Sequence, residues 1–265
     1  MIFDSHTHYD DKRFDEDREK LLRTMPEKGI EGLAAIGADL RSSEASLALA
    51  EEYPYIWAVA GVHPDRVNEL EEDRINAPER LRQMIKKPRC VAVGEIGLDY
   101  HGDYPDKPSR PVQQYWFSRQ LELAEKEDKP VVIHSRDASA DTLAVIKEAG
   151  SGLSMVHHCF GYEKETARLY LDRGHYLGIG GVVTYKNGRK LKEVVQYMPL
   201  DRMLLETDCP YLSPEPFRGR RNDSTLLSYV VEEIARIKQT EPEEVERISY
   251  ENARRFYRLA ERNQA

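Results

Sequence analysis

His6 and His8, two residues apart in the opening stretch MIFDSHTHY (1–9), have a type and spacing that can chelate one metal ion. Met1, Ile2 and Phe3 form an apolar run with strand character. Alternate side chains of a strand share a face, so Asp4, His6 and His8 point the same way. By itself an HxH is equally a pair of surface polar residues after a short strand. Chemistry is favoured because further ligand types close later apolar runs: His63, Glu95, His134, the pair His157 and His158, and Asp208. Metal sites are built when such groups converge from separate elements. Mixed nitrogen and oxygen donors suit zinc, manganese or iron, and magnesium can fill an open site that contains carboxylates.

Those residues must be positioned by the elements they terminate. Strand-like runs occupy 1–8, 32–37, 56–64, 91–100, 130–135, 153–159, 176–183 and 203–208. Amphipathic segments read as helices lie between and after them, at 16–28, 42–52, 77–85, 112–127, 142–149, 164–173, 189–197, 225–238 and 242–262. Gly29 suits the end of the first helix, Ser42 or Ser43 caps the second, and Phe117, Leu121 and Ala124 mark an apolar stripe on the fourth. Eight strands alternating with helices over about 250 residues predict a (β/α)8 (TIM) barrel. An open doubly wound sheet is disfavoured, because the first strand–helix turn has no glycine-rich fingerprint. In a barrel all the strand C-termini meet in one mouth, which is where the candidate ligands fall. His101, in a polar loop, and His175, ahead of the seventh strand, lie outside that pattern and read as structural.

Composition narrows the function classes. The 265 residues contain no linker or low-complexity stretch, so the whole chain, 1–265, reads as one domain. No apolar run approaches the length of a membrane span, and the chain enters its first strand at once, so a soluble protein without an N-terminal signal is expected. Three cysteines, Cys90, Cys159 and Cys209, lack CxxC spacing and fit a reducing cytoplasm. A formal net charge of −8 excludes a protein that coats nucleic acid through a basic surface, although it leaves room for a local cationic patch. Acidic runs such as 69–73 and 241–246 read as solvated faces.

The segments DSHTH (4–8), GVHP (61–64), GEIGLDY (94–100), VVIHSRDA (131–138), HHCFG (157–161), ETDCPYL (206–212), PFRGRRN (216–222) and NARRFY (252–257) together resemble the TatD family of metal-dependent hydrolases, over essentially the whole chain. The resemblance implies an amidohydrolase-like barrel and a divalent-metal-dependent deoxyribonuclease, a 3′–5′ exonuclease on single-stranded DNA; some members are described as deacylating D-aminoacyl-tRNA. It implies that His6, His8 and Asp208 hold one metal, that His134 and His158 hold a second, and that Glu95 bridges them. His157 then packs or hydrogen-bonds. The family commonly reads HCFSG, whereas Phe160 is followed here directly by Gly161, which bears on substrate contacts from that loop. With Glu95 in the fourth strand, no carbamylated lysine is needed as a bridge.

Bridged cations can share a hydroxide, which makes hydrolysis the reaction such a site suits. Asp208 is placed both to hold a metal and to take a proton from the attacking water. The loop Phe217, Arg218, Gly219, Arg220, Arg221, Asn222 puts three arginines just past the last strand, where they would recognise phosphate; a solvated basic turn is the alternative. His63 would orient a phosphate or leaving group, and Tyr100, Tyr211 and Phe217 would stack a base. Two divalent ions (Mg, Mn or Zn) and a single-stranded nucleic acid are therefore the expected cofactor and partner. An ester or amide hydrolase using the same metals, such as a D-aminoacyl-tRNA deacylase, is the alternative enzyme, and a non-catalytic binding barrel finds no supporting feature.

Overall fold

The computed structural model describes residues 1–149 and 152–259. Its strands are β1 (Ile2–Thr7), β2 (Ile30–Ile36), β3 (Ile56–Ala60), β4 (Cys90–Asp99), β5 (Val131–Arg136), β6 (Met155–His157), β7 (Tyr176–Ile179) and β8 (Met203–Leu205). They form one eight-stranded sheet in sequence order, with parallel pairing. The last strand returns beside the first: Asp208 N–H donates to the His6 carbonyl (3.0 Å) and His8 N–H to the Cys209 carbonyl (2.9 Å). This is the (β/α)8 barrel expected from the sequence. The helices are α1 (Arg18–Thr24), α2 (Leu40–Glu52), α3 (Asn68–Glu72), α4 (Asn76–Ile85), α5 (Arg110–Lys126), α6 (Ser139–Ala149), α7 (Lys164–Leu171), α8 (Arg189–Tyr197), α9 (Leu227–Lys238) and α10 (Pro242–Phe256). The chain divides into two compact units, 1–34 with 158–265, and 35–157.

In the unit 35–157 the strands are apolar without alternation: Ala58, Val59, Ala92, Val93, Ile96, Leu98, Val131 and Ile133 are all fully buried. A parallel strand covered on both faces requires this pattern. Helix α2 starts two residues earlier than the sequence suggests, and Asp39, not Ser42 or Ser43, is its cap. The Asp39 carboxylate accepts Ser42 N–H (2.7 Å) while Ser42 Oγ accepts Asp39 N–H (2.9 Å), a reciprocal box that satisfies two otherwise orphaned donors. From α5, Gln120 pairs with both backbone groups of Val62 (2.8 and 3.0 Å) and Gln113 with both of Asp99 (2.9 and 3.1 Å). These amides replace the ladder where strands run out, so the strand ends stay rigid. Gly97, at φ +147°, is required by β5: a Cβ there would lie 1.9 Å from the His134 carbonyl oxygen.

In the unit 1–34 with 158–265, Asp4 fastens three segments. Its carboxylate accepts Thr207 N–H (2.9 Å), the Thr207 hydroxyl (2.6 Å) and the Ser224 hydroxyl (2.6 Å). Burial pushes this carboxyl up to about 6 despite those donors. Helix α10 packs on the same strands: Phe3 stacks on Tyr257 at 5.8 Å, and the Asn252 amide donates to Leu200 (2.7 Å) and Met203 (2.9 Å) carbonyls.

Several element ends differ from those read in the sequence. The segment 16–28 divides into α1 and a 3-10 turn, Pro26–Lys28, because proline cannot continue the helix; Gly29 closes it at φ +80° as expected. The acidic stretch 69–73, read only as a solvated face, lies largely in α3. Strands six, seven and eight are shorter than 153–159, 176–183 and 203–208, since the chain leaves the ladder at Cys159 (φ +43°) and Asp208 (φ +55°) and passes into a 3-10 turn at Gly181–Thr184. Helix α10 stops at Phe256, and positions 260–262 of the helix expected there lie outside the described residues. Among the described residues no helix is long and apolar enough to cross a membrane.

Candidate metal centre

The strand period brings His6 and His8 to one side of β1, and the hydrogen bond from Asp208 N–H to His6 carries the Asp208 carboxylate to them. His6 Nε2 and His8 Nε2 face each other at 3.2 Å, and Asp208 Oδ1 lies 3.4 Å from His8 Nε2 and 3.7 Å from His6 Nε2. Three lone-pair donors converging so closely need a proton or a cation among them, and a divalent ion satisfies all three at once. The Asp208 carboxylate is held below its ordinary range: burial opposes its charge, but the His8 hydrogen bond and the His6, His158 and His8 imidazoles outweigh that. Its φ of +55° places it in the left-handed region that aspartate tolerates better than most residues. The buried His158 stacks on His6, ring centroids 4.0 Å apart. His157 is buried within β6 itself, one residue before the chain leaves the strand.

The unit 35–157 carries a second cluster: His63, Glu95 and His134 offer ligand atoms within 4.8 Å of one another. Glu95 Oε1 lies 2.7 Å from His134 Nδ1, and the other ring nitrogen of His134 lies 2.9 Å from Asp99 Oδ2. Held between two carboxylates, His134 is raised to about 9: burial opposes its charge, but the hydrogen bonds to Asp99 and Glu95 prevail. A cation bound by Glu95 and Nδ1 would take the place of one proton, while Nε2–H kept its bond to Asp99; this is how metal-bound imidazoles are oriented. His63 differs. Its Nδ1 accepts Asp65 N–H (3.2 Å), so the neutral ring carries its proton on Nε2, facing Glu95 Oε1 at 3.8 Å. Burial and the neighbouring His134 push His63 down to about 4, which keeps the ring neutral.

Asp99 and Glu206 were given no role by the sequence reading. Asp99 shares a strand face with Glu95 by parity, a signal available in GEIGLDY. Glu206 is buried beside His158, its Oε1 accepting Cys159 N–H, while its Oε2 has no hydrogen-bond partner among the described residues. Gly178 makes room for that carboxylate: a Cβ there would meet Oε2 at 2.2 Å. Burial pushes Glu206 up to about 8.

The substrate candidates separate. Arg221 is tied to Asp17 (2.6 and 2.7 Å) and lies over Phe14, so one of the three arginines is structural. Arg218 and Arg220 are exposed, resting on Tyr185 (4.3 Å) and Phe217 (5.9 Å), with no acidic partner among the described residues. Tyr100 donates its hydroxyl to Asp141 (2.9 Å) and has the Arg110 guanidinium over its ring. Tyr211, half exposed, meets the ring of His8 edge-on at 6.4 Å and lies under Arg13. Where the family serine is missing, the buried Phe160 donates its N–H to the Gly178 carbonyl (3.1 Å). His101 forms a surface pair with Asp137 (2.7 Å), and the buried His175 stacks on Tyr170 at 6.1 Å. Both stand apart from the clusters, as expected.

A barrel that carries imidazole and carboxylate clusters at its strand C-termini defines a metal-dependent hydrolase. The model of the TatD related DNase family matches residues 3–258, and the chain belongs to that family. It is similar to the uncharacterized metal-dependent hydrolase YabD of Bacillus subtilis, 38% identical over 261 residues, covering 98% of this chain and 100% of that one. It is also similar to the 3′-5′ ssDNA/RNA exonuclease TatD of Erwinia tasmaniensis, 32% identical, covering 97% and 100%. The crystal structure of YJJV, a TatD homolog from Escherichia coli, superposes with a TM-score of 0.86 at 29% identity, covering 96% of this chain and 97% of that one.

Proposed function

We propose that this hydrolase is a two-metal 3′–5′ exonuclease acting on single-stranded DNA. The observation that carries the reading is the pair of donor clusters, His6–His8–Asp208 and Glu95–His134, each at the C-terminal ends of strands whose order is that of a closed barrel. The exonuclease name carried by the Erwinia relative supports the substrate. In this reading His6, His8 and Asp208 hold one divalent ion, His134 and His158 a second, and Glu95 serves both. Bound there, the ions would supply Lewis-acid activation of water and of the phosphoryl oxygens. Asp208, a carboxylate at neutral pH, takes the proton of the attacking water. His63 offers its Nε2–H to a phosphate oxygen, and Arg218 and Arg220, cations without acidic partners, draw the polyanionic strand. The three cysteines, Cys90, Cys159 and Cys209, which lack CxxC spacing, fit a reducing cytoplasm as the place of action.

The test is degradation of a single-stranded oligonucleotide labelled at its 5′ end, with magnesium, manganese or zinc and with chelator. A ladder shortening from the 3′ end, abolished by chelation and restored by metal, is expected. Hydrolysis of D-aminoacyl-tRNA with no cleavage of the oligonucleotide under any metal would replace this reading by a deacylase.

A further inference from the structure

Between the end of β4 and the start of α5 lies a pocket of about 230 Å³. It is lined by Asp99, Tyr100, Asp103, Tyr104, Lys107, Arg110 and Gln113 among others. One wall is the carboxylate that holds His134, so an occupant sits beside the candidate metal centre. The lining is built. Tyr100 is fixed through its hydroxyl by Asp141 and Gln114 (2.9 and 2.8 Å), and the Arg110 guanidinium lies over its ring at 4.3 Å. Lys107 donates to the carbonyls of His101 (2.6 Å) and Gly102 (2.7 Å), which pins the loop from inside. Tyr104, 44% exposed, has that ammonium over its ring at 5.3 Å and is hydrogen-bonded to Asp65. Arg110 has no acidic partner among the described residues, so its guanidinium is available to a ligand.

The chemistry of this lining selects its ligand. Asp99 and Asp103 cancel Lys107 and Arg110, so the pocket has no net charge with which to hold a second phosphate. It offers flat surfaces: a tyrosine ring and a guanidinium plane stacked on another tyrosine. Such surfaces take unstacked bases, because every base has a π-face and guanidinium planes stack on it. We infer that the pocket between β4 and α5 is a nucleobase subsite, holding the base next to the scissile phosphate between Tyr104 and the Arg110–Tyr100 pair. The inference rests on the exonuclease reading for its substrate, and it assigns Tyr100 a supporting role: one face of that ring is already covered.

The experiment is equilibrium binding of deoxyadenosine monophosphate and of deoxyribose 5-phosphate, which lacks the base, to the wild-type chain and to Tyr104→Ala, Arg110→Ala and Tyr104→Phe. Base–aromatic stacking predicts that the wild type prefers the nucleotide by about tenfold or more. Tyr104→Ala and Arg110→Ala should lose most of that preference, and Tyr104→Phe should keep it. Kinetics on oligonucleotides with and without the terminal base give the second readout: removing the base and removing the Tyr104 ring should each raise KM, and the two effects should not add. Equal binding of both ligands by the wild type, or an undiminished preference in both alanine variants, overturns the subsite. Absence of turnover with the binding preference intact overturns the exonuclease reading alone, whereas turnover with no base preference overturns the subsite alone.

Discussion

Asp99 shows how a candidate ligand is held in place by a second carboxylate behind it. It sits four positions after Glu95 in the same strand, accepts the Nε2 proton of His134 at 2.9 Å, and is itself fixed by His101 N–H (2.8 Å) and Gln113. Asp99→Ala should weaken metal retention by about 10- to 100-fold, measured by chelator competition and metal analysis, with partial recovery in Asp99→Asn. Unchanged retention in the alanine variant would remove the orienting role. Asp208→Asn keeps the size and one oxygen but removes the base and the charge. Its kcat should fall about a hundredfold or more while KM moves little. Near wild-type kcat with metal bound would end the base assignment. The sequence made the ligand types legible because each closes an apolar run. Asp99 could be placed on the face of Glu95 by parity, but neither its hold on His134 nor the setting of Glu206 could be read until the histidine rings are placed.

At the scale of elements, strands and helices were legible because burial on both faces leaves continuous apolar runs and covering helices leave stripes. Their ends were less so. Glu206, Thr207 and Asp208 follow the apolar run of β8 without a break, yet the backbone leaves the ladder before Asp208, and nothing in composition announces a left-handed turn at an aspartate. The arginine loop behaves likewise: three cations read alike in the sequence, and only packing separates Arg221, bound to Asp17, from Arg218 and Arg220. Arg218→Ala and Arg220→Ala should raise KM for oligonucleotide and flatten the dependence of log KM on log salt concentration, since each lost phosphate contact releases fewer counterions. Arg221→Ala should lower stability and leave that slope as it was. Equal slopes in all three variants would make the loop a solvated turn.

For the whole molecule, acid stability is set in part by His175. Burial, and then the nearby Arg173 charge, lower its pKa from 6.5 to about 4. The folded state therefore resists a proton that the unfolded chain accepts, so this contribution is complete above pH 6.5 and is lost as pH falls towards 4. Between pH 7 and 4.5 the loss is about 2–3 kcal/mol. Denaturant titrations at the two pH values should show it in the wild type, and His175→Phe should remove most of it; an identical loss in that variant would place the acid sensitivity elsewhere.

The fastening of β1 to β8 also has a consequence during synthesis. The bond from Thr207 N–H to the Asp4 carboxylate spans 203 positions, so its two ends leave the ribosome far apart in time. His6 and His8 are made well before Asp208, whose carboxylate lies 3.4 Å from His8 Nε2 in the folded chain. A nascent chain that ends before Asp208 thus has the pair of imidazoles without the carboxylate that faces them. The contact order of that fastening makes it a late, slow event. Under the function proposed above, a ribosome stalled before codon 208 would carry a chain unable to assemble the first cluster.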